Sequence, residues 1–190
     1  MQITLEPLDL ARDLDLLHAW VTHPRSAYWM MQDACRENVR VEYAGIAVDP
    51  HHHAWLGRVD GRPSFLAETY DPAHSPLAGL PEVRPGDLGM HVLVAPPTGP
   101  AVPGLTTAVF DAVMEHCFAD PGVQRVVVEP DARNDKIRAK NVAAGFVELR
   151  EVPLPGKTAM LSVCTRAAFD ATRSADDLAV EIARETWRRI

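Results

Sequence analysis

The stretch Arg125–Phe146 reads RVVVEPDARNDKIRAKNVAAGF and places a strand, a loop and a helix in direct succession. The valine run Val126–Val128 has the character of a buried strand, and Pro130 ends its hydrogen-bonding ladder because proline has no N–H. Open α/β sheets bind ligands beyond the carboxyl ends of their strands, so the carboxylate of Asp131 is a candidate for chemistry. An Asp that caps the following helix is an equally supported alternative.

The segments around this stretch predict an α/β (α+β) fold with a mixed central sheet and flanking helices. Asp60-Gly61 between two apolar-patterned runs is a strong hairpin signal, and Gly145 is typical of a helix C-cap. We expect residues 1–165 to form one domain and residues 166–190 to form a charged helical tail. The predicted strands lie near Ile3–Leu5 and at Ala54–Val59, Arg62–Tyr70, Asp87–Val94, Val126–Val128, Phe146–Val152 and Thr158–Thr165. The predicted helices lie at Leu10–Val21, Arg36–Val48, Leu105–Phe118 and after Asn134.

Length and composition restrict the class of protein. A chain of 190 residues is long enough for one domain with a substantial core. Its net charge is −7 and its basic residues are scattered, which argues against a nucleic-acid surface and agrees with a cationic or amine substrate. The cysteines Cys35, Cys117 and Cys164 have no paired spacing, so neither a zinc site nor a disulfide framework is expected. We found no apolar run of membrane-span length and no signal-peptide core, and we expect a cytoplasmic protein without a membrane partner.

A candidate anion site follows the predicted strand Asp87–Val94. The segment TGPAVPGL, with Gly99 and Gly104, leads to a helix that begins at Leu105 and Thr106. Free N–H groups and the positive end of the helix dipole would then face one spot, as phosphate binding requires. The Gly-Lys-Ser/Thr ending of a P-loop is absent, which argues against hydrolysis of nucleoside triphosphates. Most loops of this composition have no binding role.

His91 is a candidate for acid–base chemistry. It lies on the face of its predicted strand opposite Met90 and Val92. If this strand and Val126–Val128 are neighbours, His91 and Asp131 project towards the same end of the sheet. A His–carboxylate pair is suited to general-base catalysis near neutral pH. A structural or partly exposed histidine is the alternative.

Other polar and aromatic residues give weaker signals. Adjacent residues of a strand point to opposite faces, so the triplet His51–His53 is not expected to converge on a metal ion. Glu68 and Asp71 could hold a substrate ammonium, although solvated charges are slightly favoured. Four aromatic residues either line a pocket or pack in the core, with core packing as the default: Trp20, Tyr28, Trp29 and Trp55.

Taken together, these motifs resemble the GNAT superfamily of acyl-CoA-dependent N-acyltransferases over roughly residues 1–165. The segment Asn134–Phe146 carries the Asn, Ala and Gly-Phe of that superfamily. The chain is similar, more narrowly, to the siderophore-pathway N-acyltransferases, above all the branch that acylates N-hydroxycadaverine in desferrioxamine biosynthesis. This closer likeness rests on GMHVLV around His91, VVVEPDARN around Asp131, HPRSAYWMMQD and FLAETYDPAH.

The resemblance implies an enzyme that transfers an acyl group from acetyl-CoA or succinyl-CoA to an N-hydroxylated diamine, forming a hydroxamate. It implies His91 as the general base and Asp131 as the residue that orients and assists it, with no metal. The enzyme would be a monomer or a homodimer. Contacts with acyl-CoA are expected from Val92, Val94, Gly99, Gly104, Leu105, Thr106 and Asn134, and contacts with the amine substrate from Trp29, Glu68 and Tyr70.

Two departures from the superfamily pattern leave alternatives open. GPAVPGL replaces the usual Gln/Arg-x-x-Gly-x-Gly/Ala phosphate loop. Asn141 stands where many members have a tyrosine that protonates the departing thiolate. An aminoglycoside or polyamine acetyltransferase and a non-catalytic acyl-CoA-binding protein are therefore alternative interpretations, since one fold supports many functions.

Overall fold

The computed structural model describes residues 1–174, which form a seven-stranded mixed sheet with helices on both faces. The strands are β1 (Ile3–Pro7), β2 (His52–Val59), β3 (Arg62–Tyr70), β4 (Asp87–Val94), β5 (Arg125–Val128), β6 (Val147–Leu154) and β7 (Lys157–Thr165). The helices are α1 (Leu10–Val21), α2 (Arg36–Val48), α3 (Leu105–Cys117) and α4 (Asp135–Ala143), with short 3-10 helices at Pro24–Trp29 and Pro72–His74. The sheet order is β1-β2-β3-β4-β5-β7-β6. This architecture confirms the predicted fold class.

The helices bury apolar stripes against the two faces of the sheet. α1 begins after Asp9, whose side chain accepts a hydrogen bond from the Ala11 N–H at 3.0 Å, as an N-cap does. Leu14, Leu17 and Val21 recur at helical spacing and are buried against α2 and the sheet. α3 covers the opposite face, where a second core cluster lies. The central strands are thus buried between two core clusters.

β4 and β5 separate before β4 ends. Their last parallel pair joins Gly89 to Val127, whereas β3 continues to pair with β4 as far as Val94. β5 ends at Val128 and pairs on its other side with β7. The second half of β4, which carries His91, therefore borders a gap at the carboxyl end of the parallel pair. The predicted neighbourhood of these two strands is confirmed.

The two predicted turn positions are also confirmed. Asp60 and Gly61 join β2 to β3 with φ angles of 49° and 79°, the left-handed region that a tight hairpin requires. Gly145 follows α4 with a φ of 93°, and its N–H donates to the carbonyl of Val142 at 3.0 Å.

The beginning of the predicted tail packs against the domain. Residues 166–174 are helical, and Phe169 is buried beside Phe118. Arg166 donates hydrogen bonds to the carbonyls of Phe118, Asp120 and Val123. The rest of the tail lies outside the described residues, so the boundary at residue 165 stays a prediction. Within residues 1–174, no helix has the length and apolar character to cross a membrane.

Candidate active site

A cavity of about 850 Å³ opens at the gap between β4 and β5. Its walls come from β3, β4, the end of β5, α4 and the segment that follows α1. The position agrees with the general location of ligand sites in open sheets, beyond the carboxyl ends of the strands. The polar and aromatic residues of the lining include Trp29, Glu68, His91, Glu129, Asp131 and Asn141.

His91 stands between two carboxylates in this cavity. Its Nδ1 donates to Oε2 of Glu68 at 3.0 Å, and its Nε2 donates to Oε1 of Glu129 at 2.6 Å. Glu68 and Glu129 are buried, with 6% and 7% of their surface exposed. Because ionised carboxylates only accept hydrogen bonds, both ring nitrogens carry a proton. His91 is therefore an imidazolium cation in this state.

The pKa values of the three residues follow from this arrangement. Burial alone would lower the pKa of His91, but the charge of Glu129 and the hydrogen bonds to both glutamates outweigh it and raise the pKa from 6.5 to about 10. Burial alone would raise the pKa of Glu68 and of Glu129. Interactions with His52 and His91 lower the pKa of Glu68 instead, and the charge and hydrogen bond of His91 lower that of Glu129. All three groups are ionised at neutral pH.

Further polar groups complete the surroundings of the two glutamates. Tyr43 donates to Glu68 at 2.7 Å, and Tyr70 donates to Glu129 at 2.6 Å. Burial, together with the neighbouring carboxylate, raises the pKa of each phenol well above 10, so both remain donors. Nζ of Lys157 lies 3.7 Å from Glu129. Every buried carboxylate oxygen of this cluster thus has a hydrogen-bond donor or a cation nearby.

Asp131 does not make the contact with His91 that the sequence predicted. The Asp131 backbone forms a bridge to Ala159 of β7, and its carboxylate accepts hydrogen bonds from the Arg133 guanidinium at 2.8 and 2.7 Å and from the Arg133 N–H at 2.9 Å. These hydrogen bonds lower the pKa of Asp131 to about 2. The prediction that Asp131 orients the His91 ring is corrected here: Glu129 and Glu68 do so. Asp131 nevertheless lines the same cavity, and a catalytic role for it stays a prediction.

The residues predicted to contact acyl-CoA are divided between two places. Val92 and Asn134 line the cavity, and Asn134 also caps α4 by accepting from the Ile137 N–H at 3.4 Å. The other five lie outside the lining, with Gly104 as the N-cap of α3 at a φ of 79°. Their role in binding acyl-CoA is untested by this geometry. The five are Val94, Gly99, Gly104, Leu105 and Thr106.

The predicted substrate residues also differ in position. Trp29 and Glu68 line the cavity, whereas Tyr70 lies behind Glu129 and is 5% exposed. The expectation that the charge of Glu68 is solvated was wrong, since three neighbouring groups hydrogen bond or pair with it in the protein interior. Asp71 lies away from the cavity beside His74, to which it is hydrogen bonded at 2.8 Å.

Three residues of the site were missed by the sequence reasoning. Glu129 lies directly before Pro130, and its position two residues from Asp131 on the same side of an extended chain was a usable signal. Tyr43 and Lys157 reach the cluster from α2 and β7, and no short-range pattern pointed to them.

Asn141, noted only as a departure from a family pattern, is 2% exposed, and its Oδ1 has no hydrogen-bond partner among the described residues. This amide lines the cavity and is available to a ligand.

Comparison with known proteins identifies the family. Residues 9–154 match the model of the acetyltransferase (GNAT) domain. The chain belongs to the acetyltransferase (GNAT) family. This assignment confirms the predicted class of enzyme, an acyl-CoA-dependent N-acyltransferase.

Individual relatives of this acetyltransferase-family chain act on different amines. It is 28% identical to the N-hydroxyputrescine acetyltransferase of Acinetobacter baumannii, over 87% of this chain and 78% of the relative. It is 26% identical to an aminoglycoside N(6')-acetyltransferase type 1 of Klebsiella pneumoniae, over 85% and 83%. The structure of AAC(6')-Ib in complex with ribostamycin and coenzyme A superposes with a TM-score of 0.80 at 24% identity, covering 91% of this chain and 98% of that one. At this level of identity, the structural similarity to AAC(6')-Ib supports the fold assignment alone.

Proposed function

We propose that this enzyme acylates the hydroxylated nitrogen of an N-hydroxy diamine, such as N-hydroxycadaverine, with acetyl-CoA or succinyl-CoA as donor. The product is a hydroxamate of the type found in siderophores. The observation that carries the proposal is the position of His91 between the carboxylates of Glu68 and Glu129, each within hydrogen-bond distance of one ring nitrogen. The likeness to an N-hydroxyputrescine acetyltransferase supports it independently.

A protonated His91 makes a plain amine a poor substrate. An alkylammonium has a pKa of about 10.4 and must lose a proton before its nitrogen can attack a thioester. With the pKa of His91 near 10 and those of both glutamates lowered, the cluster offers no strong base at neutral pH. A hydroxylamine nitrogen is far less basic because the attached oxygen withdraws electron density, so it arrives neutral. The site therefore suits a hydroxylamine better than an amine.

A weak base is sufficient for the later proton transfer. When the neutral nitrogen attacks the thioester carbon, the nitrogen of the tetrahedral intermediate becomes positively charged and strongly acidic. His91 was predicted to be the general base, but as a cation it cannot accept that proton. A carboxylate such as Glu129 can accept it although its pKa is low, and the His91 cation stabilises negative charge that develops nearby. The C–S bond then breaks, and the proton finally resides on the released CoA thiol.

The charge of the cavity supports a substrate with a distant ammonium group. Five carboxylates line it, against two basic side chains and the His91 cation. A diamine that is hydroxylated at one end keeps a cationic amine at the other, and an excess of negative charge favours its binding. The five carboxylates are Asp33, Glu42, Glu68, Glu129 and Asp131, and the two basic residues are Arg25 and Lys157.

The α4 wall is the proposed donor side. Asn134, Ile137 and Asn141 recur at helical spacing and line the cavity along one stripe of α4. The acyl-CoA arm carries secondary amides, and the unpartnered Oδ1 of Asn141 could accept a hydrogen bond from the N–H of such a group. We therefore place the pantetheine arm along this stripe.

The first prediction compares hydroxylated and plain diamines. Purified enzyme would receive acetyl-CoA or succinyl-CoA with N-hydroxycadaverine, N-hydroxyputrescine or cadaverine, with release of free thiol as the measurement. We expect kcat/KM at pH 7 to be about a hundredfold or more higher for the hydroxylated diamines, the range that one proton transfer contributes. Formation of a coloured iron(III) complex by the product distinguishes a hydroxamate from an O-acyl product. Absence of thiol release with every hydroxylated diamine and N-hydroxylysine would refute the proposal.

An aminoglycoside or polyamine acetyltransferase is the second candidate function. The similarity to aminoglycoside N(6')-acetyltransferases is nearly as extensive as that to the N-hydroxyputrescine enzyme, and this favours its inclusion. Parallel assays with an aminoglycoside and with spermidine separate the two functions. Faster acylation of either compound than of the hydroxylated diamines would establish the second function. Binding of acyl-CoA with no turnover of any amine would instead indicate a non-catalytic role.

A further inference from the structure

A cluster of three potential metal ligands lies outside the cavity, where β2 begins and β3 ends. His51 precedes β2, Asp71 follows β3, and His74 belongs to the short helix Pro72–His74. The backbone fixes all three: the Asp71 N–H donates to the carbonyl of His51 at 2.8 Å, and Oδ1 of Asp71 accepts from the Ala73 N–H at 2.9 Å, which caps the short helix. The backbone of these three residues is thus held in place by hydrogen bonds at the end of the sheet and by a capped turn.

The side chains of this cluster already lie close together. Oδ2 of Asp71 is 2.8 Å from Nδ1 of His74 and 3.8 Å from Nδ1 of His51. One ligand atom from each residue lies within 4.8 Å of the others. The two imidazole rings are stacked, with centroids 3.5 Å apart and planes 2° from parallel.

We propose that His51, Asp71 and His74 form a binding site for a divalent transition-metal ion of the Zn²⁺, Ni²⁺ or Cu²⁺ type. Two imidazole nitrogens and one carboxylate oxygen suit these ions rather than Mg²⁺ or Ca²⁺, which prefer oxygen ligands alone. The carboxylate of Asp71 also supplies a negative charge for the ion. Nothing in acyl transfer uses these residues, so the site is additional to the proposed function.

The exposure of the side chains allows the site to close on an ion. The side chains of His51, Asp71 and His74 are 42%, 41% and 51% exposed. The lone pairs of parallel rings do not point to one spot, so both rings must rotate about their Cβ–Cγ bonds to share an ion. Their exposed edges leave space for that rotation and for water as a fourth ligand. An ion bound to both Asp71 and His74 would take the place of the hydrogen bond between them.

An ion at this site would link the start of β2 to the end of β3, and residues next to these points contact the active-site cluster. His52 follows His51, and its Nε2 lies 3.4 Å from Oε2 of Glu68. Tyr70 precedes Asp71 and donates its hydroxyl hydrogen bond to Glu129. Binding of the ion to the folded state alone would raise thermal stability by mass action. The ends of β2 and β3 next to the active-site cluster would then be less mobile.

The second prediction tests this site by metal titration. Tag-free protein with Cys35→Ser, which removes an exposed thiol, would be titrated with ZnCl₂ by calorimetry and with CoCl₂ by visible absorption. We expect one equivalent to bind, to raise the melting temperature and to give Co²⁺ d–d bands at pH 7.5. His51→Ala and His74→Ala should each weaken binding by about tenfold or more, the loss that even an outer-shell ligand partner causes.

His53→Ala is the matched control, because His53 lies in β2 two residues after His51, with its ring beside Trp55 and outside the cluster. It should bind both ions as the parent does. The proposal is overturned by absence of binding to the parent, by unchanged affinity in the two cluster variants, or by an equal loss in His53→Ala. Since no substrate is involved, none of these results depends on the proposed acyl transfer.

Discussion

At the level of single residues, Glu129 and Asp131 are two positions apart, yet of these two only Glu129 contacts the His91 ring. The third prediction uses this difference. Glu129→Gln removes the charge that most strongly raises the pKa of His91, so that pKa should fall towards 6.5. Asp131→Asn should leave it unchanged, because the Asp131 carboxylate is bound to Arg133 instead. The measurement is an NMR titration of the His91 ring protons in each variant and in the parent.

Activity gives the same comparison a second readout. Both carboxylates line the cavity, so we expect both amide variants to lower kcat with the hydroxylated diamine. Only Glu129→Gln should add a dependence on pH between about 6 and 8, because its His91 then titrates in that range. An equal downward shift of the His91 pKa in both variants would contradict the geometry described for Asp131.

The sequence was sufficient to place His91 and the Glu129-Pro130-Asp131 segment at one site. That inference required only two strands in parallel and a proline that ends one of them. The sequence could not predict which of the two carboxylates, Glu129 or Asp131, contacts the His91 ring. The outcome depends on the backbone bridge from Asp131 to Ala159, a residue of a distant strand, and on the hydrogen bonds that Arg133 donates. Long-range pairing of this kind leaves no local pattern.

At the level of secondary structure, Gly89 of β4 allows the Tyr70 ring of β3 to lie flat across the sheet. A Cβ at residue 89 would stand 2.2 Å from two ring atoms of Tyr70, its cross-strand partner. The fourth prediction is that Gly89→Ala lowers the free energy of unfolding by about 1–3 kcal/mol, as overpacking does. It should also lower kcat, because displacement of the ring breaks the Tyr70 hydrogen bond to Glu129. Chemical denaturation and the thiol-release assay measure the two effects.

Gly45→Ala is the control for that substitution. Gly45 lies inside α2, and a methyl group added to its Cα would meet no heavy atom within 4 Å, so alanine should stabilise the helix by about 0.5–1 kcal/mol. Gly89→Ala with the stability and activity of the parent would show that the Tyr70 ring moves aside without consequence.

Local sequence signals predicted the helices and the hairpin well, but they did not predict which distant strands pair in the sheet. Asp9, Asp60-Gly61 and Gly145 each carry a conformational preference that acts within a few residues, and α1 and the β2–β3 hairpin formed where these signals placed them. The insertion of β7 between β5 and β6 had no such signal. It arises because β7 is apolar enough to be buried on both sides, a property that becomes decisive only when the whole sheet assembles.

At the level of the whole molecule, the ionised cluster couples stability to pH. The pKa of His91 is about 10 in the folded protein and 6.5 for an ordinary histidine, so its stabilising contribution is complete below pH 6.5 and is lost as pH rises towards 10. The lowered pKa values of Glu68 and Glu129 have the opposite consequence. Their contribution is complete above pH 4.5 and is lost as pH falls towards 2. Stability from the cluster is therefore greatest between about pH 4.5 and 6.5.

The fifth prediction follows from these signs and compares the parent with a triple variant in which Glu68, His91 and Glu129 are all replaced by Gln. The variant lacks these three ionised groups, so the difference between the two unfolding free energies isolates their contribution. From about pH 6.5 to 9.5 we expect the parent to lose on the order of 1–2 kcal/mol relative to the variant. This is less than about 1.36 kcal/mol per unit of pKa difference implies, because the His91 side chain is 34% exposed and partly screened. Urea denaturation at each pH measures the difference, and parallel curves across that range would mean that His91 is not held as a cation. The hydroxylamine preference would then lose its physical basis, since a neutral His91 could deprotonate an ordinary amine.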